Sequence, residues 1–127
     1  MHFDHLGVAT NDADEAAELF GTLLDAPIVH DESNDEMRFV FLELENGYVE
    51  LIEPVVEDSP VGEYLAEEGP GIHHVAVHVE DIHDAMAEAR EAGYDLLQEE
   101  PQTGAWGHEI AFVDPGDADG VLLEYVA

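Results

Sequence analysis

The sequence predicts an α+β domain made of two tandem β-α-β-β-β repeats that form a curled mixed/antiparallel sheet around a cleft. Three observations support this fold class. Residues 3–9 and 72–78 resemble each other at an offset of 69 residues. Each of these stretches is followed by an aspartate and an alanine-rich helical pattern, and each half ends in an apolar strand with a glutamate three or four residues after a glycine, Glu50 after Gly47 and Glu124 after Gly120. Internal repetition of this kind outweighs single-residue signals when a fold is predicted.

The length of 127 residues is enough for one domain with its own core. We expect a single domain over residues 1–127, with repeat one at 1–56, a linker at 57–70 and repeat two at 71–127. Within the linker, Ser59-Pro60 predicts a short helix with serine at the cap and proline in the first turn.

Repeat one begins with a strand over residues 3–10. Asp12 is the expected N-cap of the following helix, with Glu15 three positions later as in a capping box. Apolar residues then recur at helical spacing until Pro27 prevents continuation. These features predict the first β-α unit.

The rest of repeat one predicts three strands. Ile28-Val29 is a short strand, residues 31–35 are an acidic turn, and residues 38–45 form a long strand. Glu45-Asn46-Gly47 predicts a hairpin turn into the strand that carries Glu50.

Repeat two follows the same order. Asp81 is its expected helix cap and Gly93 its helix terminator. The remaining segments are a strand at 71–79, a short strand at 95–98, a loop at 101–107, and a final hairpin of strands 108–114 and 120–126.

The repeat also selects candidate site residues. Strand alternation places His74 and His78 on one face of the segment 71–79 and His73 on the other. For a histidine in a lone strand, a backbone hydrogen bond is a commoner role than metal binding. Here each repeat supplies one histidine early and one glutamate late. These are His5 with Glu50, and His74 with Glu124.

The composition is strongly acidic. The chain contains thirty-two acidic residues, two arginines and no lysine, which gives a formal net charge of −30. Nucleic acid and anionic membrane are excluded as partners, because both require Lys and Arg. Since 46% of the residues are apolar and fall into periodic segments, we interpret the chain as a folded halophilic protein of a high-salt cytoplasm.

Cysteine is absent, so thiolate metal sites, disulfides and a cysteine nucleophile are excluded. The apolar runs are too short to span a bilayer, and Met1-His2-Phe3-Asp4 lacks the features of a signal peptide. We therefore expect a cytoplasmic location.

Several motifs, taken together, resemble the vicinal oxygen chelate superfamily, also called the glyoxalase/bleomycin-resistance fold, and within it the methylmalonyl-CoA epimerase family. They cover nearly the whole chain in order. They are Asp4-His5-Leu6-Gly7-Val8-Ala9, Phe41-Leu42-Glu43-Leu44, Val49-Glu50-Leu51-Ile52-Glu53-Pro54, Asp58-Ser59-Pro60, Gly71-Ile72-His73-His74-Val75-Ala76, Glu99-Glu100-Pro101, Gly104-Ala105-Trp106-Gly107 and Gly120-Val121-Leu122-Leu123-Glu124.

The resemblance implies an enzyme, a metal-dependent epimerase that interconverts (2R)- and (2S)-methylmalonyl-CoA through an enolate. It implies one divalent metal, Co, Ni, Mn, Fe or Zn, held by the two histidines and two glutamates of the repeat, His5, Glu50, His74 and Glu124. The expected substrate is an acyl-CoA, and a homodimer is the expected assembly.

The resemblance also implies two catalytic acids. One corresponds to Glu124. The place of the other, on the third strand, is taken by Phe39 in this sequence, so Glu43 nearby is the candidate second base. Relatives carry His-Pro-Lys-Ser before the last glycine, whereas this chain has Asp114-Pro115-Gly116-Asp117.

Three other functions fit parts of this pattern. A lactoylglutathione lyase-like isomerase would use a similar metal site. A ring-cleaving dioxygenase is less favoured, since that iron chemistry uses two histidines and one carboxylate. A non-enzymatic ligand-binding protein of the same fold would commonly lack the four ligands. We interpret His78, His83 and His108 as structural or surface residues, and Trp106 as a lid contact over the substrate.

Overall fold

The computed structural model describes residues 1–127 and contains eight β-strands and three α-helices. Their order is β-α-β-β-β, one helix, and β-α-β-β-β again. The strands are β1 His2–Ala9, β2 Ile28–Ser33, β3 Met37–Leu44, β4 Gly47–Pro54, β5 Gly71–His78, β6 Gln102–Thr103, β7 Glu109–Val113 and β8 Leu123–Val126. The helices are α1 Ala13–Leu24, α2 Pro60–Glu68 and α3 Ile82–Glu91. The predicted α+β class with two tandem repeats is confirmed.

The chain divides into two compact units, one of residues 5–73 and one of residues 1–4 with 74–127. In the unit 5–73 the strand order is β2-β3-β4-β1. β1 pairs with β4 in parallel, and the other two pairings are antiparallel. The sheet of this unit is therefore mixed, as expected.

Both faces of the sheet in the unit 5–73 carry packed apolar side chains. One face packs against α1, and its buried residues include Val8, Ala13, Ala16, Ala17, Val40, Leu42, Val49 and Leu51. On the other face, α2 contributes to a smaller cluster of Ala9, Ile52 and Val61 with Met37, Phe39, Tyr64 and Leu65 against it. The segment between the repeats therefore packs on the sheet rather than acting only as a connection.

The unit of residues 1–4 and 74–127 repeats this plan with the strand order β5-β8-β7-β6. β5 and β8 are parallel, whereas β7 runs antiparallel to both β6 and β8. Its core lies under α3 and consists of Val79, Ile82, Ala85, Met86 and Ala111.

The predicted helix caps are present. Side-chain oxygens of Asp12, Ser59 and Asp81 accept hydrogen bonds of 3.0–3.1 Å from the backbone N–H three residues later. Only half of the expected capping box forms in α1, because the Asp12 N–H donates to Thr10 Oγ1. Gly93, with φ of 95°, follows the end of α3 as expected.

The prediction of an acidic turn over residues 31–35 is wrong in part. β2 continues to Ser33, and Asp31 pairs with Val40 of β3. Asp31 is tolerated there because Arg38 donates two hydrogen bonds of 2.9 and 3.1 Å to its carboxylate. These bonds lower the pKa of Asp31. Arg38 also donates to Asp14 of α1.

The prediction of a strand over residues 95–98 is also wrong. Leu96 makes only an isolated bridge to Val113, and β6 lies instead inside the predicted loop 101–107. Backbone hydrogen bonds from Leu97 N–H to Phe112 O and from Asp114 N–H to Asp95 O flank this bridge, and side chains add to them. Gln98 Oε1 accepts a hydrogen bond from the Phe112 N–H, and Arg90 donates to the backbone oxygens of Gln98 and Glu99.

Candidate metal centre

The first His–Glu pair lies within the unit 5–73. His5 is on β1 and Glu50 on β4, and their parallel pairing places Gly7 beside Glu50. His5 Nε2 lies 3.7 Å from Glu50 Oε1, and the two residues are 4% and 5% exposed. Both side chains are thus held side by side out of bulk water.

An aromatic side chain flanks this first pair. Phe41 lies opposite Glu50 on β3, and its ring contacts the His5 ring edge-on at a centroid distance of 5.9 Å. Tyr48 packs on Phe41 in a similar T-shaped arrangement at 6.2 Å. A buried carboxylate in such surroundings is costly unless hydrogen bonds or a cation compensate it.

The second pair lies within the unit of residues 1–4 and 74–127 and has the same construction. His74 is on β5 and Glu124 on β8, with 3.8 Å between Nε2 and Oε1. The two residues are 4% and 5% exposed. Ala76 is the parallel-strand neighbour of Glu124, and Phe112 is its antiparallel neighbour. The Phe112 ring contacts His74 edge-on at 6.0 Å.

The two pairs match residue for residue. In each, a glutamate lies between a small residue on one strand and a phenylalanine on the other, and the small residue follows the histidine by two positions. The N–O distances exceed the range of a hydrogen bond. Neutral imidazole nitrogen and carboxylate oxygen are the donors that divalent first-row metals take from proteins. Buried candidate ligands for a metal ion include His5, His74 and Glu124.

The two candidate second bases on β3 are placed differently. Glu43 and Phe39 alternate with Phe41, so all three lie on one face of the strand. Glu43 is exposed, with Tyr48 opposite it. Phe39 packs in the apolar cluster under α2.

The remaining histidines have other surroundings. His78 stacks on His2 at 4.7 Å, and His83 is exposed on α3. His108 is exposed, and its ring centroid lies 6.1 Å from that of Trp106. Trp106 has a positive φ of 63°, an unusual conformation for a bulky residue.

One polar pair on the sheet was not predicted from the sequence. His30 Nε2 and Glu32 Oε1 on β2 lie 2.8 Å apart. The His30 ring contacts Phe41 at a centroid distance of 6.0 Å. A His-x-Glu spacing was visible in the sequence, but it fell partly in a stretch interpreted as a turn.

Comparison with known proteins defines the class. A model of the glyoxalase/bleomycin resistance protein/dioxygenase superfamily matches residues 4–112. The chain belongs to this superfamily.

Within the superfamily the chain is similar to methylmalonyl-CoA epimerases. It is 36% identical over 126 residues to the ethylmalonyl-CoA/methylmalonyl-CoA epimerase of Cereibacter sphaeroides, covering 95% of this chain and 93% of that one. The structure of methylmalonyl-CoA epimerase from Mycobacterium tuberculosis matches with a TM-score of 0.94 at 33% identity, over 98% of this chain and 86% of that one.

A third relative carries a substrate. A methylmalonyl-CoA epimerase in complex with methylmalonyl-CoA and NH4+ matches with a TM-score of 0.94 at 34% identity, over 98% of this chain and 92% of that one. The chain is therefore epimerase-like in sequence and fold, and the three relatives described above are epimerases, which are enzymes of the isomerase class.

None of the helices has the length and apolar character needed to span a membrane.

Proposed function

We propose that this protein is a metal-dependent methylmalonyl-CoA epimerase that interconverts the (2R) and (2S) epimers through an enolate. The observation that carries the proposal is the repeated buried His–Glu pair, with N–O distances of 3.7 and 3.8 Å. Relatives that match almost the full length of the chain and are named as this enzyme support the same assignment.

His5, Glu50, His74 and Glu124 would together hold one divalent ion, Co, Ni, Mn, Fe or Zn. The donor set fits, because two imidazoles and two carboxylates suit these metals and leave positions for substrate oxygens. Burial also fits, since each residue is at most 5% exposed and a bound cation would compensate the two carboxylates. When bound, the ion supplies an electrophile that polarises the carbonyl oxygens of the substrate.

Glu124 would be one of the two bases. The proton to be moved is on the carbon between the thioester and the carboxylate, where the negative charge left behind is delocalised into an enolate. Inversion requires that a second group deliver a proton to the opposite face of the same carbon. Glu43 is the candidate that the sequence provides for this role.

An acyl-CoA is the proposed substrate even though the chain has few cations. Arg38 is engaged by Asp31 and Asp14 in the ion pairs described above. Arg90 is the other arginine, and its side chain donates to backbone oxygens rather than to a carboxylate. Binding of the phosphates would therefore depend on backbone N–H groups, on Arg90 and on the salt of the medium.

We also propose a homodimer in a high-salt cytoplasm. Leu19 and Leu23 on α1 are 53% and 70% exposed, and an apolar surface of this kind is often covered in an assembly. The dense negative charge supports the high-salt setting.

Exchange of the substrate hydrogen with solvent tests the proposal. In D2O, the metal-loaded protein and either epimer of methylmalonyl-CoA should yield the other epimer with deuterium on the carbon between the two carbonyl groups. Glu124→Gln should abolish both exchange and epimerisation, because it removes a base and alters a ligand. Mass spectrometry of the intact methylmalonyl-CoA measures exchange, and consumption by an enzyme that accepts only one epimer measures inversion.

A wild-type protein that neither exchanges nor inverts this substrate would overturn the proposal. Isomerisation of the methylglyoxal–glutathione adduct in its place would identify a lactoylglutathione lyase-like isomerase. Activity on neither substrate with metal bound would leave a shared fold without the epimerase reaction.

A further inference from the structure

A β-bulge in β2 sets the direction of His30. Ile28 lies opposite Leu42 of β3, whereas His30 lies opposite Phe41, so Val29 is an extra residue in the pairing. Regular pairing from Ile28 would place His30 opposite Val40, on the face that packs against α1. The bulge turns His30 to the opposite face, the face of Phe41.

Glu32 holds His30 on that face. The two residues are two positions apart in β2 and therefore point the same way. Glu32 Oε1 lies 2.8 Å from His30 Nε2, and a carboxylate only accepts hydrogen bonds. Nε2 therefore carries the proton, which leaves the basic lone pair on Nδ1. The alternating residue Asp31 is held on the α1 side by Arg38.

The position of His30 relative to the first His–Glu pair suits a proton-transfer group. His30, Phe41 and Glu50 form one row across three neighbouring strands. Strand spacing puts the Cα atoms of His30 and Glu50 about 9–10 Å apart. At that separation the His30 side chain lies beside the first His–Glu pair, on the same sheet face and with Phe41 between them.

We propose that His30, oriented by Glu32, is the second acid–base group of the epimerisation. The inference rests on the proposed function and deepens it. In one direction Nδ1 takes the proton from the carbon, the electron pair of the C–H bond enters the enolate, and Glu124 delivers a proton to the other face. In the reverse direction the two residues exchange roles, and no redox change occurs.

His30 fills this role better than the other residues of its sheet face. Phe39 has no titratable group and is packed under α2. Glu43 is exposed at the end of β3, next to the hairpin turn. The His30 side chain is 27% exposed, is held by a carboxylate, and contacts the aromatic ring that also contacts His5.

Exchange of each epimer in D2O tests the proposal. Wild type should exchange both epimers and invert them. His30→Gln should lower inversion about 100-fold or more, within the usual range for loss of a general acid–base group. It should still exchange, with retention, the single epimer whose hydrogen faces Glu124, and its metal content should be unchanged. Glu32→Gln should also exchange one epimer in preference to the other, with a smaller loss of inversion. His83→Gln, at an exposed position, is the matched control.

The outcomes separate the two proposals. The role of His30 would be overturned if His30→Gln lost exchange equally for both epimers, lost its metal, or inverted the substrate at the wild-type rate. In each of these cases an active wild type would still sustain the proposed function. If Glu43→Gln, and not His30→Gln, exchanged only one of the two epimers, Glu43 would be the second acid–base group. An inactive wild type would overturn the proposed function and the role of His30 with it.

A second measurement does not depend on activity. Nitrogen-15 NMR of the His30 imidazole should show a protonated Nε2 and an unprotonated Nδ1 in the neutral ring, and Glu32→Gln should weaken this preference. A neutral His30 with its proton on Nδ1 would contradict the proposed role.

Discussion

At the residue scale, repetition carried more information than residue type. Eight histidines and thirty-two acids offer many candidate ligands, but only two histidines and two glutamates recur at matching places in the strands of the repeats, while the repeated Asp12 and Asp81 cap helices. The structure buries all four and pairs them as His5–Glu50 and His74–Glu124. Their role as ligands remains a prediction.

His30 was not identified from the sequence because its position depends on a bulge. The face of a strand residue follows from counting by two, and one inserted residue reverses the count. Val29 has no feature that distinguishes a bulge residue from an ordinary strand residue. The pairing of β2 with β3 was needed to place His30 beside Phe41.

At the element scale, the helices followed local sequence signals closely. The caps at Asp12, Ser59 and Asp81 formed as predicted, since a side-chain oxygen three residues from a free N–H acts locally. The short strands did not follow such signals. β6 has only two residues, and it depends on pairing with β7 rather than on its own composition.

Gly62 in α2 provides a test at this scale. A Cβ at this position would lie 2.3 Å from the backbone oxygen of Glu57, which belongs to the turn closed by Ser59. Helix propensity alone would make Gly62→Ala stabilising by about 1 kcal/mol. Because the added Cβ would clash with backbone atoms, we expect Gly62→Ala to lower the free energy of unfolding by about 1–3 kcal/mol.

Chemical denaturation at fixed salt measures the effect of Gly62→Ala. Glu67→Ala, at an exposed position of the same helix, is the control and should change the free energy of unfolding by less than about 0.5 kcal/mol. A more stable Gly62→Ala variant would show that the α2 turn can relax without cost.

At the scale of the whole molecule, charge is the dominant property. A formal net charge of −30 in 127 residues, with only two arginines, places carboxylates close together over the surface. Their repulsion opposes folding unless it is screened. The composition revealed this directly, because net charge does not depend on the fold.

Thermal stability should therefore rise with salt. The Debye length is about 10 Å at 0.1 M and about 3 Å at 1 M, so repulsion between neighbouring carboxylates falls steeply over this range. Melting curves in a KCl series should show Tm climbing from 0.1 M to molar salt. A Tm independent of KCl would reject the high-salt interpretation of the composition.

The central claim is that the two repeated His–Glu pairs serve one metal ion. Each pair belongs to a different repeat, so the number of ions per chain separates a shared site from two independent ones. Alanine substitution of any one ligand should weaken binding of the same ion, whereas His78→Ala and His108→Ala should not. The four ligand variants are His5→Ala, Glu50→Ala, His74→Ala and Glu124→Ala.

The most direct measurement is a calorimetric titration of the metal-free protein with Co²⁺ in high salt, checked by elemental analysis of the loaded protein. We predict one ion per chain in the wild type and markedly weaker binding in each of the four ligand variants. Two ions per chain, or one ion that His5→Ala and His74→Ala both leave in place, would contradict the account.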